Sequence, residues 1–122
     1  MEDQEIINRL SLLPSEIRDA EEAYITKVEN QEKNILKKDL IETSTALDIE
    51  NTTDLDGKKL FTNELKRKVA TEERLRDHKE YQALLQNIKD ARHELKMDEI
   101  MISYKKRLFN SIESTVRILR GA

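Results

Sequence analysis

Apolar side chains recur at every seventh residue through the last third of the chain, from Tyr81 to Val116. A second set follows at an offset of three residues and is apolar except at its middle, where Asp98 and Lys105 stand. This spacing places both sets in one narrow stripe that is buried only when another helix packs on it. The pattern therefore predicts a coiled-coil helix over residues 78–120. Its seam residues are Tyr81, Leu84, Ile88, Ala91, Leu95, Ile102, Phe109, Ile112, Val116 and Leu119.

The composition favours long helices over a thick core. Of the 122 residues 39% are charged and 4% are aromatic, with two glycines and one proline. A slender chain of this kind usually gains burial by pairing its helices or by oligomerising. We expect an all-α fold: an elongated antiparallel coiled-coil helical hairpin, with a short additional helix near the turn, that assembles as a homo-oligomer, either a dimer or a tetramer.

The first half of the chain carries a weaker seam of the same kind. Pro14 predicts an interruption, because the residue before a proline is disfavoured in the helical region. A short helix over 3–13 and a long helix over 15–50 are therefore expected, and the seam fades after Leu36. The seam residues of the long helix are Ile17, Ala20, Tyr24, Val28, Gln31 and Ile35.

Turn-forming residues separate the two long helices. Asn51 to Asp54 and the dipeptide Asp56-Gly57 predict a connector over 51–62, since these residue types favour turns. Thr62 or Asn63 can cap a short helix over 63–76. Asp77, three residues before Glu80, resembles a capping box and predicts a break before the last helix. We expect all elements to form one helical domain over 1–122.

Charge is divided unevenly along the chain. The first 56 residues hold 15 acidic and 6 basic side chains, whereas the rest hold 10 acidic and 16 basic ones. The basic residues are densest in one stretch. One interpretation is that they contact the phosphates of nucleic acid in a salt-dependent way. The other is that they form a solvated face that pairs with the acidic half. These residues are Lys58, Lys59, Lys66, Arg67, Lys68, Arg74, Arg76 and Lys79.

The polar residues Asp98 and Lys105 interrupt the seam one heptad apart. One interpretation is an internal polar layer that fixes the pairing of the helices. The alternatives are a local rotation of the seam onto Met101, Tyr104 and Leu108, or a partner helix that ends at this level.

Catalytic and metal-binding patterns are nearly absent from the sequence. The chain has no cysteine, and its two histidines, His78 and His93, lack metal-ligand spacing. Asp54 could begin a calcium loop, but Leu65 stands at its twelfth position, where an acidic ligand is needed. We expect a cytoplasmic, non-enzymatic protein with no cofactor, no metal and no membrane partner.

The C-terminal half resembles a known group of proteins. The segment Asp56-Gly57-Lys58-Lys59-Leu60-Phe61-Thr62-Asn63-Glu64, then Arg67, Leu75 and Tyr81-Gln82-Ala83-Leu84-Leu85, is followed by the heptads. Together they resemble small uncharacterised coiled-coil proteins carried by bacteriophages and integrative elements of Gram-positive bacteria. The resemblance implies a setting in the DNA metabolism of mobile elements and no catalytic residues.

The leading functional hypothesis is a non-catalytic interaction protein that self-associates through its seams and binds a protein partner. Large apolar side chains would anchor the partner: Leu85, Met101, Tyr104, Leu108 and Phe109. One alternative is a nucleic-acid-binding accessory protein that uses the basic stretch. Another is an inhibitor of a host enzyme in which Glu16, Asp19, Glu21 and Glu22 imitate DNA.

Overall fold

The computed structural model describes residues 3–121 and confirms the prediction of an all-α fold. Three helices follow one another: α1 (Asp3–Asn51), α2 (Glu64–Arg76) and α3 (Lys79–Gly121). No strand is present in this described range. The helices α2 and α3 begin and end within one residue of the predicted bounds, which is the ordinary spread of helix assignments.

The predicted interruption at Pro14 is wrong, because α1 is one helix of 49 residues with Pro14 inside it. A proline within a helix costs about 3 kcal/mol. The residue before it, Leu13, has no exposed surface, and Ile6 is also buried. Burial of one such side chain contributes about 1.5–3 kcal/mol, so the packing of Ile6 and Leu13 before the proline offsets its local cost.

The contacts of the chain gather into two compact units. Unit 1 takes its described residues from 3–29 and 92–121, and unit 2 takes 30–91. Each unit thus contains a segment of α1 and a segment of α3, and unit 2 also contains α2. The single domain expected from the sequence stays a prediction.

In unit 1 the segments of α1 and α3 pack through apolar side chains. Ile6, Leu13 and Ile112 form a buried cluster. Four half-buried side chains pack against it: Leu10, Leu108, Phe109 and Val116. Ion pairs farther along the two segments join Glu21 to Lys106 and Lys27 to Glu94. The partner's number falls in α3 as the number rises in α1, so the two segments run antiparallel within this unit.

Unit 2 also pairs its segments of α1 and α3 in antiparallel order. Gln31 contacts Ile88, and Glu42 contacts Tyr81. The buried side chains of this unit on α3 are Tyr81, Leu84 and Ile88, and those on α1 are Gln31, Thr45 and Ile49.

The inward face of α1 differs from the predicted seam in two ways. Asn34 is half-buried where Ile35 was expected, and Ile35 lies at the edge with 36% of its surface exposed. The seam also continues past Leu36, through Lys38, Ile41 and Thr45 to Ile49. Polar residues fill several of these inward positions, so a search for apolar spacing does not detect them.

Local hydrogen bonds define the connector and the ends of α2 and α3. The Asp54 carboxylate accepts the backbone N–H groups of Asp56 and Lys58, and Gly57 adopts a φ of 79°, which favours glycine. Asn63 caps α2 by accepting the Lys66 N–H at 2.8 Å. At α3 the cap is the His78 ring, whose Nδ1 accepts the Tyr81 N–H. The predicted capping role of Asp77 is therefore wrong, since this residue ends α2.

Replacing Leu13 with Ala should destabilise the protein by about 2–5 kcal/mol, because it leaves a cavity where no solvent reaches. Urea unfolding followed by circular dichroism measures the difference. The matched control is Leu12→Ala, since Leu12 is 54% exposed and its truncation should change stability by no more than about 0.5 kcal/mol. Equal losses for the two variants would show that Leu13 is not a core residue.

Candidate interaction surfaces

The predicted seam is largely covered by the chain itself. On α3 the seam residues Tyr81, Leu84, Ile88 and Ile112 are buried. The other α3 seam residues are half-buried, except Leu119, which is 63% exposed. On α1 Ile17, Ala20, Tyr24 and Val28 are half-buried, and Gln31 is buried. These seam residues are thus covered, in whole or in part, within the single chain. Self-association itself stays a prediction.

A polar cluster lies beside the apolar seam in unit 1. The Lys27 ammonium donates to Asp98 at 2.7 Å and lies 2.8 Å from a Glu94 oxygen. Tyr24 donates its hydroxyl hydrogen to Glu99. The hydrogen bond to Asp98, followed by that to Glu94, raises the pKa of Lys27, and the bond to Glu99 raises the pKa of Tyr24. Each bond ties a residue of α1 to one of α3 and so fixes the register of the two segments.

These contacts and the exposure of nearby residues bear on the interpretations of Asp98 and Lys105. Asp98 pairs with Lys27 of α1 and not with Lys105. The seam does not rotate onto Met101 and Tyr104, because both are more than half exposed. Lys105 remains half-buried at its seam position.

Unit 2 contains two polar contacts that are more deeply buried than the polar cluster of unit 1. The Gln31 amide donates to the Ile88 carbonyl oxygen at 2.8 Å. The Tyr81 hydroxyl donates to Glu42 at 2.7 Å. Burial, and then the bond to Glu42, raises the pKa of Tyr81 to about 12. Both side chains sit on the seam, so here too polar groups fix how α1 meets α3.

An apolar patch on α3 in unit 1 faces solvent. It comprises Met97, Ile100, Met101 and Tyr104, which are between 52% and 57% exposed. The spacing of three and four residues places these side chains on one helix face. We call it the α3 patch. Such a group of large exposed apolar side chains on one face is typical of a protein-binding surface.

The structure separates the five anchors predicted from the sequence. Met101 and Tyr104 lie in the α3 patch, whereas Leu108 and Phe109 pack against the core cluster of unit 1. Leu85 lies in unit 2 and is 36% exposed. Sequence reasoning missed Met97 and Ile100, although their spacing from Met101 and Tyr104 was there to be recognised.

The basic stretch lies wholly in unit 2. Its residues belong to the connector, to α2 and to the start of α3. On α2, Lys66, Arg67 and Arg74 are spaced so that they share one face, while Lys68 and Arg76 point to other sides. Arg67 is half-buried and donates to the Phe61 carbonyl oxygen. None of the eight cations forms an ion pair with another described residue, so the predicted pairing with the acidic half is not seen there.

The acidic residues considered as a DNA mimic are mostly engaged. Glu16 pairs with Arg9, Asp19 with Arg18, and Glu21 with Lys106. These cations offset the negative charge on that part of α1, so the structure adds no support to the inhibitor hypothesis.

The possible metal ligands of the described residues are scattered. Within 3–121 no three acidic, histidine or cysteine side chains come together as metal ligands. The groove beside Tyr24, Ile25 and Ile102 is open and is bordered by the Glu21–Lys106 ion pair. His78 accepts a backbone hydrogen bond as a helix cap.

Comparison with protein-family models, with curated proteins and with solved structures finds no match to this chain. Over residues 3–121, no helix combines the length and the apolar character that crossing a membrane requires.

The raised pKa of Tyr81 predicts a loss of stability at alkaline pH. An unfolded tyrosine ionises near pH 10, whereas folded Tyr81 stays neutral to about pH 12. The stabilising contribution is therefore present below pH 10 and is lost as the pH rises from 10 to 12. Absorbance titration should show a phenolate transition near pH 12 that Tyr81→Phe removes and that Glu42→Gln shifts toward 10. Three tyrosines that all titrate near pH 10 would contradict the burial of Tyr81.

Proposed function

We propose that this chain is a non-catalytic helical interaction protein that binds another protein through the α3 patch. In this proposal α1 and α3 pair as an antiparallel coiled-coil hairpin. The support is the antiparallel order of contacts within each unit and the seam burial on both helices. The observation that carries the functional part is the exposure of Met97, Ile100, Met101 and Tyr104, since the fold does not use these side chains.

The charges beside the α3 patch indicate the chemistry of its partner. Lys96 and Arg107 are exposed along one edge of the patch. Neither forms an ion pair with a described residue. A complementary surface would be an amphipathic helix that carries acidic side chains beside its apolar stripe. A setting in mobile-element DNA metabolism and a cytoplasmic location remain expectations from the sequence.

Photocrosslinking tests this docking site in the host cell. We expect p-benzoylphenylalanine in place of Tyr104 to form an adduct with one other protein, because this position lies within the patch. Met101→Glu in the same chain should remove the adduct, since an unpaired carboxylate in a central contact costs about 2 kcal/mol or more, roughly 30-fold in affinity.

The matched control places the same crosslinker at Leu65, which is 71% exposed and lies in unit 2. It should give no such adduct. The proposal fails if position 104 crosslinks only to a second copy of this chain, or if positions 65 and 104 give the same products.

A second candidate function is weak binding of nucleic acid by the basic stretch. It is favoured by the finding that its eight cations form no ion pair with described residues. Cations that are not neutralised by the protein remain available to phosphates. The spread of these residues around α2 argues against a contact with a single groove and favours loose backbone contacts.

Fluorescence anisotropy with labelled single- and double-stranded DNA at two salt concentrations tests this function. Replacing Lys66 and Arg74 with Gln should reduce the slope of log affinity against log salt by about 0.7–0.9 for each phosphate that is no longer neutralised. Lys89→Gln, a change at an exposed cation of α3 outside the stretch, should leave the slope unchanged. Wild-type protein that does not bind at low salt would eliminate this candidate.

A further inference from the structure

A second regular stripe runs along α1 in unit 2, on a face turned away from the seam. Its six residues follow the alternating spacing of three and four that brings side chains into line on a helix. All six are exposed, and the three leucines among them are 60%, 60% and 51% exposed. They are Lys33, Leu36, Leu40, Thr43, Leu47 and Glu50. We call this stripe the outer face of α1.

The outer face has the form of a short helix-pairing seam. Three leucines and Thr43 lie between a cation at one end, Lys33, and an anion at the other, Glu50. Neither charge forms an ion pair with another described residue. A stripe this narrow and this long fits one helix better than a broad surface.

The order of its residues makes the outer face complementary to itself. When two copies of α1 lie antiparallel about a two-fold axis between residues 41 and 42, Leu36 meets Leu47 of the second copy. In the same register Leu40 meets Thr43, and Lys33 meets Glu50 at both ends of the interface. A parallel pair would instead place Lys33 beside Lys33 and Glu50 beside Glu50. Interfaces with two-fold symmetry require this kind of reciprocal match.

We propose that the outer face of α1 binds a second copy of this chain, with the two α1 helices antiparallel. The interface shares no residue with the α3 patch. An experiment can therefore refute it without refuting the proposed partner-binding function, and the reverse also holds. It also gives the expected homodimer a surface other than the covered seam.

Charge exchange across the interface tests the proposal. Sedimentation velocity over a series of protein concentrations should show a monomer–dimer equilibrium for the wild-type chain. Lys33→Glu or Glu50→Lys alone should weaken the dimer about five- to tenfold, because each change sets like charges together at both ends. The double variant restores opposite charges and should return the dissociation constant to within about twofold of the wild type.

Leu40→Glu should abolish the dimer, because it removes two leucines from the interface and places two unpaired carboxylates near its two-fold axis. Circular dichroism should show unchanged helix content for all of these variants, since every altered residue is exposed. The proposal is overturned by a wild-type chain that stays monomeric at every concentration. It is equally overturned by a dimer that Leu40→Glu leaves intact, or by single charge variants that the double exchange does not rescue.

Disulfide trapping tests the orientation, since the chain has no cysteine of its own. Leu36→Cys and Leu47→Cys chains should form a crosslinked dimer only when the two variants are mixed and oxidised. Each variant alone should remain uncrosslinked, because the antiparallel register holds equal positions apart. Crosslinking of each variant with itself would instead show a parallel pair and contradict the proposed interface.

Discussion

Within each unit, the burial of a narrow stripe of side chains between a segment of α1 and a segment of α3 is the interaction on which the structure depends. Local propensity contributes little to the stability of helices as polar as these, so packing of one face must contribute most of it. In unit 1 that packing centres on Leu13 and Ile112, and in unit 2 it includes Leu84 and Ile88. The same burial keeps α1 helical through Pro14.

Polar residues on or beside the stripe determine how the two helices meet. An apolar seam with a heptad spacing can slide by seven residues at little cost, whereas a buried or half-buried polar group must keep its partner. Lys27 with Asp98 acts in unit 1, and Gln31 with the Ile88 carbonyl acts in unit 2. These contacts reduce the apolar content of the seam and in return favour one register. The polar residues that interrupt the apolar pattern therefore help to determine the register in which the two helices pair.

The C-terminal helix was predictable from the sequence and the N-terminal half was less so, for physical reasons. On α3 the inward positions are almost all apolar, so their spacing alone predicts which side chains are buried. On α1 inward positions hold Asn34, Lys38 and Thr45, which look like surface residues until the contacts with α3 are known. The helix interruption predicted at Pro14 was wrong for a related reason. Proline locally disfavours a continuous helix, but tertiary packing opposes this preference and cannot be inferred from the local sequence.

The candidate surfaces show the same limit. Met101 and Tyr104 were recognised as anchors because they are large, but Phe109 is equally large and packs inward. The outer face of α1 has a recognisable spacing, yet the apolar pattern alone predicts only a seam that fades after Leu36. The face of α1 that is buried lies on the other side of the helix, which shows that Leu36 belongs to a separate, exposed face. Size and hydropathy thus identify candidate interaction residues. Which of these remain exposed depends on the helix that packs against them within the chain.

Each chain covers its own seam in this structure, and methyl nuclear Overhauser spectroscopy can detect that packing in solution. The measured quantity is the cross-peak between Leu13 and Ile112 in isotope-labelled protein, recorded before and after dilution with excess unlabelled protein. If the two residues pack within one chain, the intensity per labelled molecule will not change. If α1 packs on α3 of another chain, dilution will remove most of the cross-peak, and that result would show that the seam is not covered within one chain.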